Sequence, residues 1–185
     1  MIIHIDEKLS LRFAKVGEKR EIFEMLIASE IQSFMFNETF RSPTWPEFDE
    51  DADDTYYTGE ASKYGSYLLI LYEETVIGSV SYSCEYEKIP FGEIDIWLKS
   101  LAYTGKGIGV KVIKALIGFV HETYAIETFL IRPWKKNGHA IKAYEKCGFE
   151  VVENFSVSQY YSDKMMSDYG AGDYGEETVN MVLKL

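Results

Sequence analysis

The chain has 185 residues, 46% of them apolar and 15% aromatic, and it carries a formal net charge of −11. That is enough apolar material for one sizeable core, so a single domain over residues 1–185 is expected. The acid excess argues against a nucleic-acid partner, which needs basic faces to displace counterions, and no apolar run reaches the roughly 20 residues that cross a bilayer.

In chain order, Met1-Ile2-Ile3-His4-Ile5 reads as a first strand and not as a cleaved leader, and residues 9–13 read as a second strand. Residues 18–29 carry Ile22, Phe23, Leu26 and Ile27 at helical spacing. Residues 31–40 are open between a second helix and a loop over the substrate side. Pro43-Thr44-Trp45-Pro46 is a break, followed by an acidic segment holding Glu47, Asp49, Glu50, Asp51, Asp53 and Asp54. Residues 67–72 form a strand, and Glu73-Glu74 turns the chain tightly into a strand over 76–86, an antiparallel hairpin. Then come a strand over 94–99, a glycine turn, a helix over 110–124, a strand over 128–132, a helix over 137–147 and a strand over 149–157. The Tyr- and Gly-rich stretch 160–175 reads as a mobile loop, and residues 174–185 close the sheet. A hairpin followed by alternating strands and helices makes a mixed α/β (α+β) sheet.

Cys84 and Cys147 are too few for a disulfide framework, and neither has a neighbouring histidine. Both are expected as small buried filler in a reducing compartment, with no metal site. A cytoplasmic protein, monomer or homodimer, without nucleic-acid or membrane partner is the expectation. The net charge suits a cationic ligand or mere solubility.

Two segments carry chemistry. The run Ile94-Asp95-Ile96-Trp97-Leu98-Lys99-Ser100 feeds Thr104-Gly105-Lys106-Gly107-Ile108-Gly109-Val110. Glycines at alternate positions let backbone approach a ligand closely, and a helix N-terminus directly behind favours a phosphate. The bland alternative is a turn that needs glycine on steric grounds alone. Within the strand, Asp95, Trp97 and Lys99 share one side. Glu93, near the strand start, is expected on the opposite face, in solvent. A carboxylate in an apolar strand either pairs with a cation on a neighbouring strand or serves a ligand. The second segment is Asn137-Gly138-His139-Ala140-Ile141-Lys142-Ala143-Tyr144-Glu145-Lys146-Cys147-Gly148-Phe149. Asn137 is placed as an N-cap and Gly148 as a helix stop. Tyr144 is either a core aromatic with a satisfied hydroxyl or a proton donor.

Together these segments resemble the GNAT superfamily of acyl-coenzyme A dependent N-acetyltransferases, over about residues 65–153. That family's loop reads Arg/Gln-x-x-Gly-x-Gly/Ala. Its later element, Asn-x-x-Ala-x-x-x-Tyr-Glu-x-x-Gly-Phe, is matched here at every fixed position. The resemblance implies a mostly antiparallel sheet flanked by helices, and acetyl-coenzyme A as co-substrate with no metal. It further implies pyrophosphate contacts from Thr104, Gly105, Lys106, Gly107, Ile108, Gly109 and Val110. Asn137 and the backbone of Leu98 and Lys99 would meet the pantetheine arm, and Tyr144 would protonate the leaving thiolate.

A narrower likeness is to the aminoglycoside 6′-N-acetyltransferases, through Gly92-Glu93-Ile94-Asp95 and the Gly-Lys-Gly-x-Gly loop. It implies that Asp95 contacts the cationic small-molecule amine near the reacting nitrogen, with Trp45, Glu47 and Trp97 on the substrate side. Thr104 stands where that pattern has Arg or Gln, and Arg132 stands where the subgroup has Asp before Pro133. Other acceptors compatible with the motifs are a polyamine, an amino-sugar metabolite, a siderophore precursor or a protein N-terminus. A different class, a non-catalytic module that binds coenzyme A, would need neither Asp95 nor Tyr144. An open carboxylate-lined cleft would favour polycations, and a narrow apolar one smaller amines.

Overall fold

The hairpin organises the sheet. In the computed structural model, which describes residues 1–36, 41–164, 166 and 177–185, β3 (Gly65–Tyr72) and β4 (Thr75–Glu85) pair antiparallel around Glu73-Glu74. Both turn residues have positive φ, 47° and 65°, the backbone twist that suits a two-residue hairpin. On one side, β3 pairs with β2 (Leu9–Phe13), and β2 with the edge strand β1 (Ile2–His4). On the other side, β4 pairs with β5 (Phe91–Leu98).

Beyond β5, the sheet continues through β6 (Thr128–Ile131), β8 (Met181–Lys184) and β7 (Glu150–Val151), in that spatial order. All neighbours are antiparallel except β5 and β6, as expected for a mixed, mostly antiparallel sheet. The expected closing strand is therefore not an edge: β8 inserts between β6 and β7. The strand expected over 149–157 shrinks to two residues, because Glu153-Asn154 favours a turn.

Helices cover both faces. Helix α4 (Ile108–Tyr124) buries Ile108, Val112, Ile113, Leu116, Ile117 and Val120, a helical stripe packed on Leu68, Ile70, Val80 and Ile94 of the sheet. It starts two residues earlier than its apolar pattern predicts. Helix α5 (Gly138–Glu145) joins the same core through Tyr144. On the other face lie α1 (Lys19–Leu26), α2 (Ser29–Met35) and α3 (Trp45–Asp51), packed on Leu69 and Trp97. The expected break at Pro43-Thr44-Trp45-Pro46 is the start of α3: Thr44 and Glu47 form a capping box, and proline is tolerated in a first turn.

Cys84 is buried, Cys147 half-buried, and both are free thiols. The stretch expected to be mobile begins otherwise. Tyr160 and Tyr161 are buried against Phe91, Leu130 and Val182, and residues 165 and 167–176 lie outside the described residues. No described helix is long and apolar enough to cross a membrane.

Candidate active site

The glycine turn is built as its spacing predicts. Gly105 and Gly107 have φ of 71° and 76°, a region costly for other residues, and Gly107 caps α4 without a side chain. The first bond from the turn into the helix runs from the Lys111 N–H to the Gly107 carbonyl at 3.1 Å. The N–H groups of Ile108, Gly109 and Val110 therefore have no acceptor within the helix.

Gly109 is the telling residue. It lies in the helix, so its backbone needs no glycine, and an added Cβ would meet nothing within 4 Å. A glycine there costs the helix about 0.5–1 kcal/mol relative to alanine and gives the fold nothing in return. Open space over free amides at a helix N-terminus fits an anion of pyrophosphate size. Thr104 does not point its hydroxyl at that space. Its Oγ1 donates to the Leu101 carbonyl at 2.7 Å.

Between this turn and the sheet centre, one edge of β5 is open. β5 and β6 are in register only at Gly92 with Phe129 and Glu93 with Leu130, whereas β4 accompanies β5 up to Leu98. The Lys99 N–H donates to the Ile77 carbonyl at 2.8 Å, towards β4. Antiparallel alternation turns the peptide groups of Leu98 the other way. Of the two residues expected to offer backbone to the pantetheine arm, Leu98 faces the open edge and Lys99 does not.

That edge borders a cavity of about 240 Å³, lined on the sheet side by Asp95, Ile96, Trp97 and Arg132. Phe34, Met35 and Phe36, in and just after α2, wall it opposite, with Trp134, Asn137 and Tyr144 at its α5 end. Helix α2 is tied down at both ends. Glu30 accepts from Ser100 Oγ (2.8 Å) and from the Leu101 N–H (3.1 Å), and the Phe34 carbonyl accepts from Asn137 Nδ2 at 3.4 Å. Asn137 Oδ1 caps α5, accepting from the Ala140 N–H at 3.1 Å.

Asp95 keeps an accessible face and lines the cavity, with protein packed around the rest of its carboxyl. The loss of water, together with the nearby Glu93 charge, pushes its carboxyl up to about 6, against the pull of Arg132. Asp95 makes no ion pair among the described residues, so it is not the structural half of a salt bridge there. The expectation for Glu93 is corrected. Residues 93 and 95 alternate back to one face, and Glu93 is paired with Arg132 at 2.5 Å, their side chains 16% and 7% exposed.

Tyr144 is buried, and its phenol is held above its ordinary value by desolvation and by the Asp95 charge. No described side chain hydrogen-bonds its hydroxyl. Trp97 shares the cavity, with its indole N–H buried and without a hydrogen-bond partner among the described residues. Trp45 and Glu47 do not line this cavity. Trp45 stacks under the Arg20 guanidinium, 4.8 Å from ring centroid to Cζ, and Glu47 pairs with Arg41. Of the two readings left open for residues 31–40, the chain takes the helix through Met35, and residues 37–40 lie outside the described residues. Which side chains of so short a helix meet the cavity carries no clear period in the sequence.

The chain matches the family described as "Acetyltransferase (GNAT) domain" over residues 8–150. Spermine/spermidine N(1)-acetyltransferase of Bacillus subtilis (strain 168) is 30% identical over 112 residues, 55% of this chain and 65% of that protein. Human alpha/beta-tubulin-N-acetyltransferase 9 is 27% identical over 112 residues, 60% of this chain and 54% of that protein. The chain thus spans between about half and two-thirds of the curated relatives it matches. The solved structure of aminoglycoside acetyltransferase AAC(6')-Ib in complex with coenzyme A and kanamycin shares its fold, with a TM-score of 0.68 at 20% identity. That likeness covers 95% of this chain and 94% of the other. With the family match running from the second strand through the last helix, over this sheet and this glycine turn, the chain belongs to the GNAT acetyltransferase family.

Proposed function

We propose that this chain transfers an acetyl group from acetyl-coenzyme A to a primary amine of a small cationic molecule, by direct attack in a ternary complex. The observation that carries the reading is that Asp95 and Tyr144 line one cavity at the open edge of β5. The outward-facing peptide of Leu98 in that edge suits the pantetheine arm, and the amides of Ile108, Gly109 and Val110 in the turn that follows β5 suit a pyrophosphate. Acetyl-coenzyme A supplies the acetyl group as a thioester. Asp95 attracts the acceptor ammonium and takes its proton, directly or through water. The freed nitrogen forms a bond to the acetyl carbon as the carbon–sulfur bond breaks, and Tyr144 gives its proton to the departing sulfur. The nitrogen's second proton then restores the phenol, directly or through water, leaving a neutral amide and free thiol. A carboxyl pushed up from the ordinary carboxylate range towards neutrality is better matched to general-base assistance than a solvated one.

For the acceptor, an aminoglycoside with a 6′-amine is favoured by the Gly-Glu-Ile-Asp and glycine-loop motifs and by a fold neighbour that holds kanamycin. A linear polyamine is the second reading. The matched relative named for spermine and spermidine supports it.

The cofactor half is tested at Gly109. Gly109→Val leaves the helix intact, because the added side chain has room and no backbone strain, but it occupies the space over the amides. Calorimetry should find coenzyme A binding weakened by up to about thirtyfold, since contact with an anion at a helix N-terminus is worth up to about 2 kcal/mol, with thermal stability unchanged. Undiminished affinity would remove the pyrophosphate from this turn.

A further inference from the structure

Glu93 and Arg132 stand where β5 and β6 part. Arg132 Nε donates to Glu93 Oε1 at 2.7 Å, and its Nη2 donates to the Tyr161 hydroxyl at 3.1 Å. The same hydroxyl donates to the other Glu93 oxygen, and the guanidinium lies 5.6 Å from the Tyr161 ring centroid. Pairs this buried are weak devices for stability, because lost hydration offsets the attraction. This one has a neighbour to act on. Glu93 shares its strand face with Asp95, and Arg132 lines the Asp95 cavity, so one anion and one cation, both largely buried themselves, are fixed beside Asp95.

We propose that Glu93, Arg132 and Tyr161 form a positioning unit that fixes the pH at which Asp95 takes up its proton. Through Asp95, and resting on the function proposed above, the unit sets the acid limb of turnover. The other described groups that face Asp95 are Tyr67 of β3, Tyr144 of α5 and Glu177 ahead of β8. Burial holds both phenols above their ordinary range, so they stay neutral while Asp95 titrates. Glu177 is exposed, where water screens it. The Glu93–Arg132 pair is therefore the dominant fixed field. Its two members act in opposite directions on Asp95, Glu93 the more strongly.

The test follows the Asp95 carboxyl carbon by NMR across pH, alongside the pH profile of kcat/KM. Glu93→Gln and Arg132→Gln each break the same ion pair, so a merely structural role moves both variants alike. A positioning unit moves them apart. The Asp95 midpoint falls in Glu93→Gln and rises in Arg132→Gln, each on the order of one pH unit for a single charge at this range. The double variant leaves no buried charge unpaired and remains informative if a single variant misfolds. Its midpoint should lie below wild type, because the stronger influence, that of Glu93, is gone. Midpoints that stay put, or move in the same direction in both single variants, overturn the proposal. So does an unmoved midpoint in the double variant. Midpoints that separate as stated while the kcat/KM profile stays fixed uphold the positioning unit and instead remove Asp95 from the reaction.

Discussion

Asp95→Asn should cut kcat/KM for the amine by about one to two orders of magnitude, the scale of a lost charge-assisted hydrogen bond of about 1.5–3 kcal/mol. Coenzyme A affinity should not change. The same variant should be more heat-stable than wild type at neutral pH, and the sign follows from linkage. The folded protein holds the Asp95 proton more tightly than the unfolded chain, because the carboxyl rises from 3.8 to about 6. Stability therefore falls as pH climbs through that window, and above it the ionised group opposes folding. Asparagine has no such term, so its advantage is present at pH 7 and vanishes below about 4, the unfolded carboxylate value. Steady-state kinetics with thermal melts at both pH values check both halves. A structural ion-pair partner would lose stability at neutral pH on this substitution. A drop confined to the acetyl-coenzyme A Michaelis constant would move Asp95 to the donor side.

Tyr144→Phe should slow turnover by about 10²- to 10⁴-fold, the usual worth of a general acid, while coenzyme A affinity and melting temperature barely move. The phenol keeps its proton throughout the neutral range, as a donor must, and no described side chain depends on its hydroxyl. Pre-steady-state acetyl transfer, which isolates the chemical step, is the measurement. Wild-type rates there would make Tyr144 a packing residue of the α5 core.

What was legible in the sequence follows physical range. The glycine turn and the N-cap of α5 are local devices whose chemistry is written in adjacent residues, and both stand where their spacing predicts. The hairpin at Glu73-Glu74 was equally plain. Contacts that cross the sheet were not. Glu93 meets a partner 39 residues away, and an expectation drawn from its position near the strand start put it in solvent on the wrong face. The lone cation in place of an expected acid, Arg132, looked like a lost ligand residue. In the fold it is spoken for by Glu93 and Tyr161. Trp45 and Glu47 illustrate the same limit. The family position that suggested them does not put them in the lining of the Asp95 cavity. α3 reaches that cavity through Phe48 instead, while Trp45 stacks on Phe23 and Arg20 and Glu47 pairs with Arg41. The insertion of β8 between β6 and β7 depends on pairing between segments some 30 residues apart on one side and some 50 on the other, which no periodicity encodes.

The central claim, acetyl transfer to a cationic amine under the control of Asp95, is tested most directly by thiol release from acetyl-coenzyme A. Aminoglycosides bearing a 6′-amine, spermine, spermidine and N-terminal peptides are offered side by side, to the wild type and to Asp95→Asn. The account predicts saturable thiol release with at least one cationic small amine, matched mole for mole by acetylated product and strongly reduced in the variant. Coenzyme A binding with no release above background for any amine would contradict it and leave a module that binds the coenzyme without using it.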